Sequence, residues 1–113
     1  MPRDYRLYLD DIVTAIAAIR SYVVGYEYDQ FAADGKTTDA VLHNLAIIGE
    51  AASKLPPEVT GRELSIEWRK IVAFRNIVIH EYFGMNRVIV WDIVVNKLDS
   101  LDATCKRLLS TSE

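Results

Sequence analysis

Apolar residues open the chain in a helical rhythm, at Tyr5, Tyr8, Leu9, Ile12, Ile16, Ile19 and Val23. Steps of three and four residues place them on one stripe of a helix, with Asp4 as its N-cap. Arg3, Arg6, Asp10, Asp11 and Arg20 fall mostly off that stripe. A bend is expected near Gly25, followed by a short helical piece closed by Gly35. A second stripe, Val41, Leu42, Leu45, Ile48, Ala52 and Leu55, predicts a helix capped by Thr37 or Thr38 and stopped at Pro56-Pro57. The segment PPEVTGRELS reads as a loop with one turn of helix from Pro57. Ser65 caps a third long helix that runs through WRKIVAFRNIVIHEYFG and stops near Gly84. Asn86 caps a last one. Its opening run VIVWDIVV also suits a buried strand, but Trp91, Val94, Leu98, Leu101, Cys105 and Leu108 keep helical spacing and decide for a helix. Asp102 and Lys106 are expected to pair at i,i+4 on its outer face.

Four main helices with short connections imply an all-α fold, an up-and-down bundle of four to five helices. No separate core flanks the one long loop, so residues 1–113 are expected to form a single helical domain.

The third long helix differs from the others. Between Ile71 and Ile79 it is apolar on nearly every side, and such a helix is expected to lie buried among other helices. Yet it carries Arg75, Asn76, His80 and Tyr82. Charge in such a place is costly unless something pairs with it or uses it. Asn76 and His80, four apart, share a face; Arg75 and Tyr82, seven apart, share another. Arg75 and His80 lie about 140° apart on a regular helix, so one chain is poorly built to aim both at one atom. Two copies of the helix across a two-fold axis remove that difficulty.

Composition narrows the chemistry. The 113 residues are half hydrophobic and carry a net charge of −3, which gives no global basic field for nucleic acid. A single cysteine, Cys105, excludes an internal disulfide and fits a reducing compartment. No signal peptide and no apolar run of membrane-spanning length are read, so a cytoplasmic location with no membrane attachment is expected. No metal-ligand cluster stands out. Asp39 and His43 have a usable spacing, but two residues do not make a metal site. No glycine-rich phosphate loop and no serine in a triad setting occur; Gly49 and Gly61 fit no motif. No cofactor is expected.

Histidine exchanges protons near neutral pH, and arginine clamps a phosphate through parallel hydrogen bonds. Together, without a metal, they suit a phosphodiester. The histidine deprotonates a ribose 2′-hydroxyl or protonates the leaving oxygen, and the arginine stabilises charge on the phosphoryl oxygens. Deoxyribose lacks that internal nucleophile, so RNA is the natural substrate. The same residues also fit a structural hydrogen-bond network holding a bundle or dimer together. Glu50, in an apolar helix, is a candidate partner of Arg75, and Glu81 a solvated residue near a helix end. Trp68 and Trp91 read as packing residues and Cys105 as core.

The string Arg75-Asn76-Ile77-Val78-Ile79-His80-Glu81-Tyr82, with flanking Trp68 and VIVWDIV, resembles the HepT-like toxins of the HEPN superfamily. The likeness extends over nearly the whole chain, including RDYRLYLDDI and LAIIGEAASKLP. It implies a HEPN-like bundle that dimerises and gathers the motifs of two protomers around one cleft. It implies a metal-independent endoribonuclease with Arg75 and His80 as the catalytic pair and Asn76 in support. It further implies a type VII-like toxin–antitoxin pair, in which an MNT-type nucleotidyltransferase antitoxin attaches AMP to the motif tyrosine, Tyr82. The added bulk and negative charge would repel RNA and block the cleft. The alternative is a non-enzymatic helical module that binds its nucleotidyltransferase partner or a nucleotide.

Overall fold

The computed structural model describes residues 4–81 and 84–111. These form helices α1 (Tyr5–Val23), α2 (Tyr28–Ala33), α3 (Gly35–Ser53), α4 (Pro57–Thr60), α5 (Trp68–Glu81), α6 (Arg87–Asn96) and α7 (Leu98–Thr111). The all-helical bundle read from the pattern is what the chain forms, with its last helix broken in two and two short helices filling the connections.

Helix α1 starts where Asp4 accepts a hydrogen bond from the Arg6 amide at 2.9 Å. It buries Leu9, Ile12, Ala15, Ile16 and Ile19. That stripe packs on α3 along one side and α7 along the other. Gly25, at φ +77°, makes the turn after α1 in a conformation that costs glycine nothing. Helix α3 begins earlier than expected. Asp34, not Thr37 or Thr38, is its cap, accepting from the Thr37 amide at 3.1 Å and the Thr37 hydroxyl at 2.7 Å. The Tyr26 hydroxyl donates to the same carboxylate at 2.6 Å. These bonds, led by that from Tyr26, hold the Asp34 pKa down to about 2. Thr38 is instead buried, its hydroxyl donating to the Phe31 carbonyl at 3.0 Å.

The α4 turn starts at Pro57 as expected. Helix α5 starts at Trp68, later than a Ser65 cap would allow. Asn86 caps α6, accepting from the Val88 amide at 2.9 Å. The expected continuous last helix breaks at Lys97. Six β-branched residues crowd α6, which lowers its helical preference. The break also lets α6 reach α2, where Trp91 meets Phe31 with ring centroids 5.0 Å apart, while α7 packs on α1.

The Asp102–Lys106 pair forms at 2.9 Å, but not on an outer face: Asp102 is buried. Arg20 of α1 donates to Asp102 at 3.0 Å and also pairs with Asp99, so α1 and α7 are tied by charge as well as by packing. Burial pushes the Asp102 pKa up, and the hydrogen bonds from Lys106 and Arg20 outweigh it, leaving the carboxyl below its usual value.

The expectation of a buried α5 is not met by a single chain. Of its side chains only Val78 is buried. Ile77 and Ile79 are 43% and 52% exposed, and Val88, Ile89 and Val95 of α6 are likewise exposed. The physical reason is geometric. Helices α1, α3 and α7 supply most of the core, and α5 leans on α3 by one side.

Candidate functional site

Gly49 governs how α5 meets α3. A β-carbon at position 49 would lie 2.6 Å from the β-carbon of Arg75 and 3.0 Å from the Ile71 carbonyl oxygen. Only a residue without a side chain permits that approach. A glycine inside a helix costs about 1 kcal/mol relative to alanine, so its place in the middle of the α3 stripe was the readable signal of a close contact. Gly49 belongs to no glycine motif, so spacing alone does not mark it.

One residue further along α3, Glu50 forms an ion pair with Arg75, its carboxylate oxygen 2.9 Å from Nε. The other oxygen of Glu50 faces Lys54 Nζ at 3.9 Å. On the far side of the guanidinium, a terminal nitrogen of Arg75 donates to Asn76 Oδ1 at 3.4 Å. The result is a line of polar side chains, Lys54, Glu50, Arg75 and Asn76, across the α3–α5 contact. Arg75 and Glu50 are partly exposed, so the pair faces solvent instead of lying in an oily interior.

His80 sits on the last turn of α5 and is exposed. Among the described residues no hydrogen bond or ion pair joins its ring to Arg75 or Asn76. Helix α5 is a regular α-helix through Glu81. The separation of about 140° between Arg75 and His80 therefore stands within one chain. The structure brings Asn76 to Arg75, and not to His80. Tyr82 lies outside the described residues.

A cavity of about 410 Å³ opens between α3, the approach to α5 and the α6–α7 elbow, lined by Ile48, Ile71, Phe74 and Leu101 among others. Neither Arg75 nor His80 lines it. Among the described motif residues, Asn76 and His80 are exposed and Arg75 is half-buried in the single chain. Among the described residues no three histidine, cysteine or acidic side chains come together to hold a metal, and His43 is exposed on α3. No described helix is long and apolar enough to cross a membrane.

Residues 12–108 match the family model described as "Ribonuclease HepT-like". A protein of Methanocaldococcus jannaschii named "Putative RNase MJ0127" is 37% identical over 99 residues, which cover 87% of this chain and 82% of that relative. A protein of Thermococcus cleftensis named "Probable ribonuclease HepT" is 33% identical over 108 residues, 96% of this chain and 98% of that relative. No solved structure matches the chain significantly.

Proposed function

As this chain belongs to the ribonuclease HepT-like family, we propose that it cleaves RNA without a metal, at a cleft built by two copies of α5. The observation that carries this reading is the exposed apolar surface around the motif. Ile77 and Ile79, on the helix that carries Arg75 and His80, and Val88, Ile89 and Val95 of α6 stand uncovered in the single chain. Burial of such apolar surface is favourable by about 25 cal/mol per Å². A second copy covers it with the same surface and brings a second Arg75 and His80 across the dyad. The divergence of the two side chains along one helix then becomes an asset, because the arginine of one protomer meets the histidine of the other.

At that cleft one imidazole takes the proton of a ribose 2′-hydroxyl as its oxygen attacks phosphorus. The bond from phosphorus to the 5′-oxygen breaks, and that oxygen takes a proton from solvent while the imidazolium later gives its own proton back to water. Arg75 stabilises the negative charge that collects on the phosphoryl oxygens. The products carry a 2′,3′-cyclic phosphate and a 5′-hydroxyl.

The same reading places the chain as the toxin of a toxin–antitoxin pair. Its partner is an MNT-type nucleotidyltransferase that attaches AMP to Tyr82 and so sets bulk and negative charge where RNA phosphate must lie. Incubating the purified chain with total RNA in EDTA, beside His80→Ala, tests the activity. Cleavage by the wild type alone is expected. Cleavage by both points to a contaminant, and cleavage by neither leaves the non-enzymatic module that binds the nucleotidyltransferase or a nucleotide. After co-expression with the nucleotidyltransferase, intact mass should rise by one AMP, and Tyr82→Phe should abolish the gain.

A further inference from the structure

We infer that Glu50 is a positioning residue for Arg75: it holds the guanidinium by Nε so that the terminal nitrogens face the cleft in the orientation a phosphate requires. The inference rests on the ribonuclease reading for its consequence, but not for its geometry.

Three observations converge on one side chain. A Glu50 carboxylate oxygen forms an ion pair with Arg75 at Nε, 2.9 Å away, the one nitrogen at the side of the fork. Asn76 takes a long bond of 3.4 Å from one terminal nitrogen. The remaining terminal N–H groups stay available, and these are the ones that grip a phosphate end-on in a bidentate pair. Gly49, adjacent to Glu50, removes the side chain that would otherwise push Arg75 away. Two neighbouring positions of α3 therefore serve Arg75, one by yielding space and the other by fixing direction.

A stabilising role explains the arrangement poorly. An ion pair this exposed contributes little to folding. Its electrostatic effect on RNA is also unhelpful, since a carboxylate beside the phosphate-binding cation repels the substrate. Lys54, 3.9 Å from the same carboxylate, offsets part of that repulsion. A negative charge that weakens substrate binding and adds little stability is understandable if it orders the arginine before RNA arrives. An unheld arginine on an open surface must give up its rotamer freedom at that moment.

This account predicts an unusual split. In Glu50→Ala the guanidinium is free to wander, and kcat falls by about ten- to a hundredfold, the scale of a small misplacement in a reacting geometry. KM stays level or falls, because a repulsive charge has left. Glu50→Gln keeps a polar oxygen of the same reach beside Nε and restores part of kcat while keeping the lower KM. A merely structural residue would move neither ratio in that way.

The test measures kcat and KM of the full chain on an RNA oligonucleotide for wild type, Glu50→Ala and Glu50→Gln. Circular dichroism melting confirms the fold, and the Arg75 Nε–H resonance is followed by nitrogen-15 NMR, assigned through Arg75→Lys. A lowered kcat rescued by glutamine, with an Arg75 resonance that shifts and broadens in Glu50→Ala, is the expected result. Wild-type kcat in folded Glu50→Ala overturns the positioning role. If the wild type cleaves no RNA, the ribonuclease reading fails separately. The Nε–H resonance then decides by itself, and one unmoved by Glu50→Ala overturns the inference.

Discussion

Gly49 lies against Arg75 so closely that a β-carbon on one would sit 2.6 Å from the β-carbon of the other. The backbone oxygen of Ile71 bounds the same space at 3.0 Å, so neither neighbour can yield without moving α5 as a body. Gly49→Ala gains about 1 kcal/mol of helical preference. It loses about 1–3 kcal/mol to overpacking, so the net change is destabilising by up to about 2 kcal/mol. Thermal melting should show a drop of several degrees, and RNA cleavage should fall by more than the loss of folded protein accounts for. A variant that melts higher than wild type and cleaves normally would contradict the contact.

The cap of α3 carries its own pH signature. Asp34 has a pKa of about 2 in the folded chain against an ordinary value of 3.8. A carboxyl with a depressed folded pKa adds stability that is fully present above its unfolded pKa and is lost as pH falls through the folded one. The melting temperature should therefore decline between about pH 4 and pH 2, and Asp34→Asn should flatten that part of the curve. Equal slopes for the two proteins in that window would show that the Tyr26–Asp34–Thr37 cluster is not formed.

Cys105 is fully buried on α7, and its thiol is pushed up to about 12 by burial first and by the nearby Asp102 charge second. The thiolate is the reactive form. Labelling with a thiol reagent at pH 8 should be slow in the native protein and immediate in denaturant. Fast native labelling would place the α1–α7 contact in doubt.

Ile79 is half exposed in the single chain. If a second copy covers it, Ile79→Asp buries a lone carboxylate and weakens dimerisation by on the order of a hundredfold or more. Light scattering should report a monomer, with the melting temperature of the dissociated chain little changed and RNA cleavage lost. A dimer of unaltered affinity would move the subunit contact elsewhere.

How much of this was legible beforehand depends on whether the cause lay near in sequence. Asp4, Pro57 and Asn86 were readable as helix starts because a cap acts on the next few residues. At α3 the pattern pointed to Thr37 or Thr38, whereas the cap is Asp34, held also by Tyr26, which arrives from the previous loop. The elbow at Lys97 was hidden because apolar spacing runs unbroken through it, and packing on two different partners sets the break. Asp102 looked like a surface residue until Arg20, far off in sequence, was found beside it. The burial of α5 was misread for a related reason. The apolar spacing of Ile71 to Ile79 does not say which of those side chains a neighbouring helix covers, and in the single chain α5 meets α3 by one side. Glu50 was readable as a candidate partner of Arg75 by its charge in an apolar helix, whereas Gly49 carried only an absence of side chain.

The central claim is that Arg75 of one protomer works with His80 of the other, and mixed dimers test it most directly. Arg75→Ala and His80→Ala chains, each with a different tag, are co-expressed and the doubly tagged dimer is isolated. Each mutant homodimer should be inactive, and the mixed dimer, which retains one intact arginine and one intact histidine on opposite chains, should regain cleavage well above both. A mixed dimer as inactive as its parents, beside an active wild type, would contradict the shared cleft.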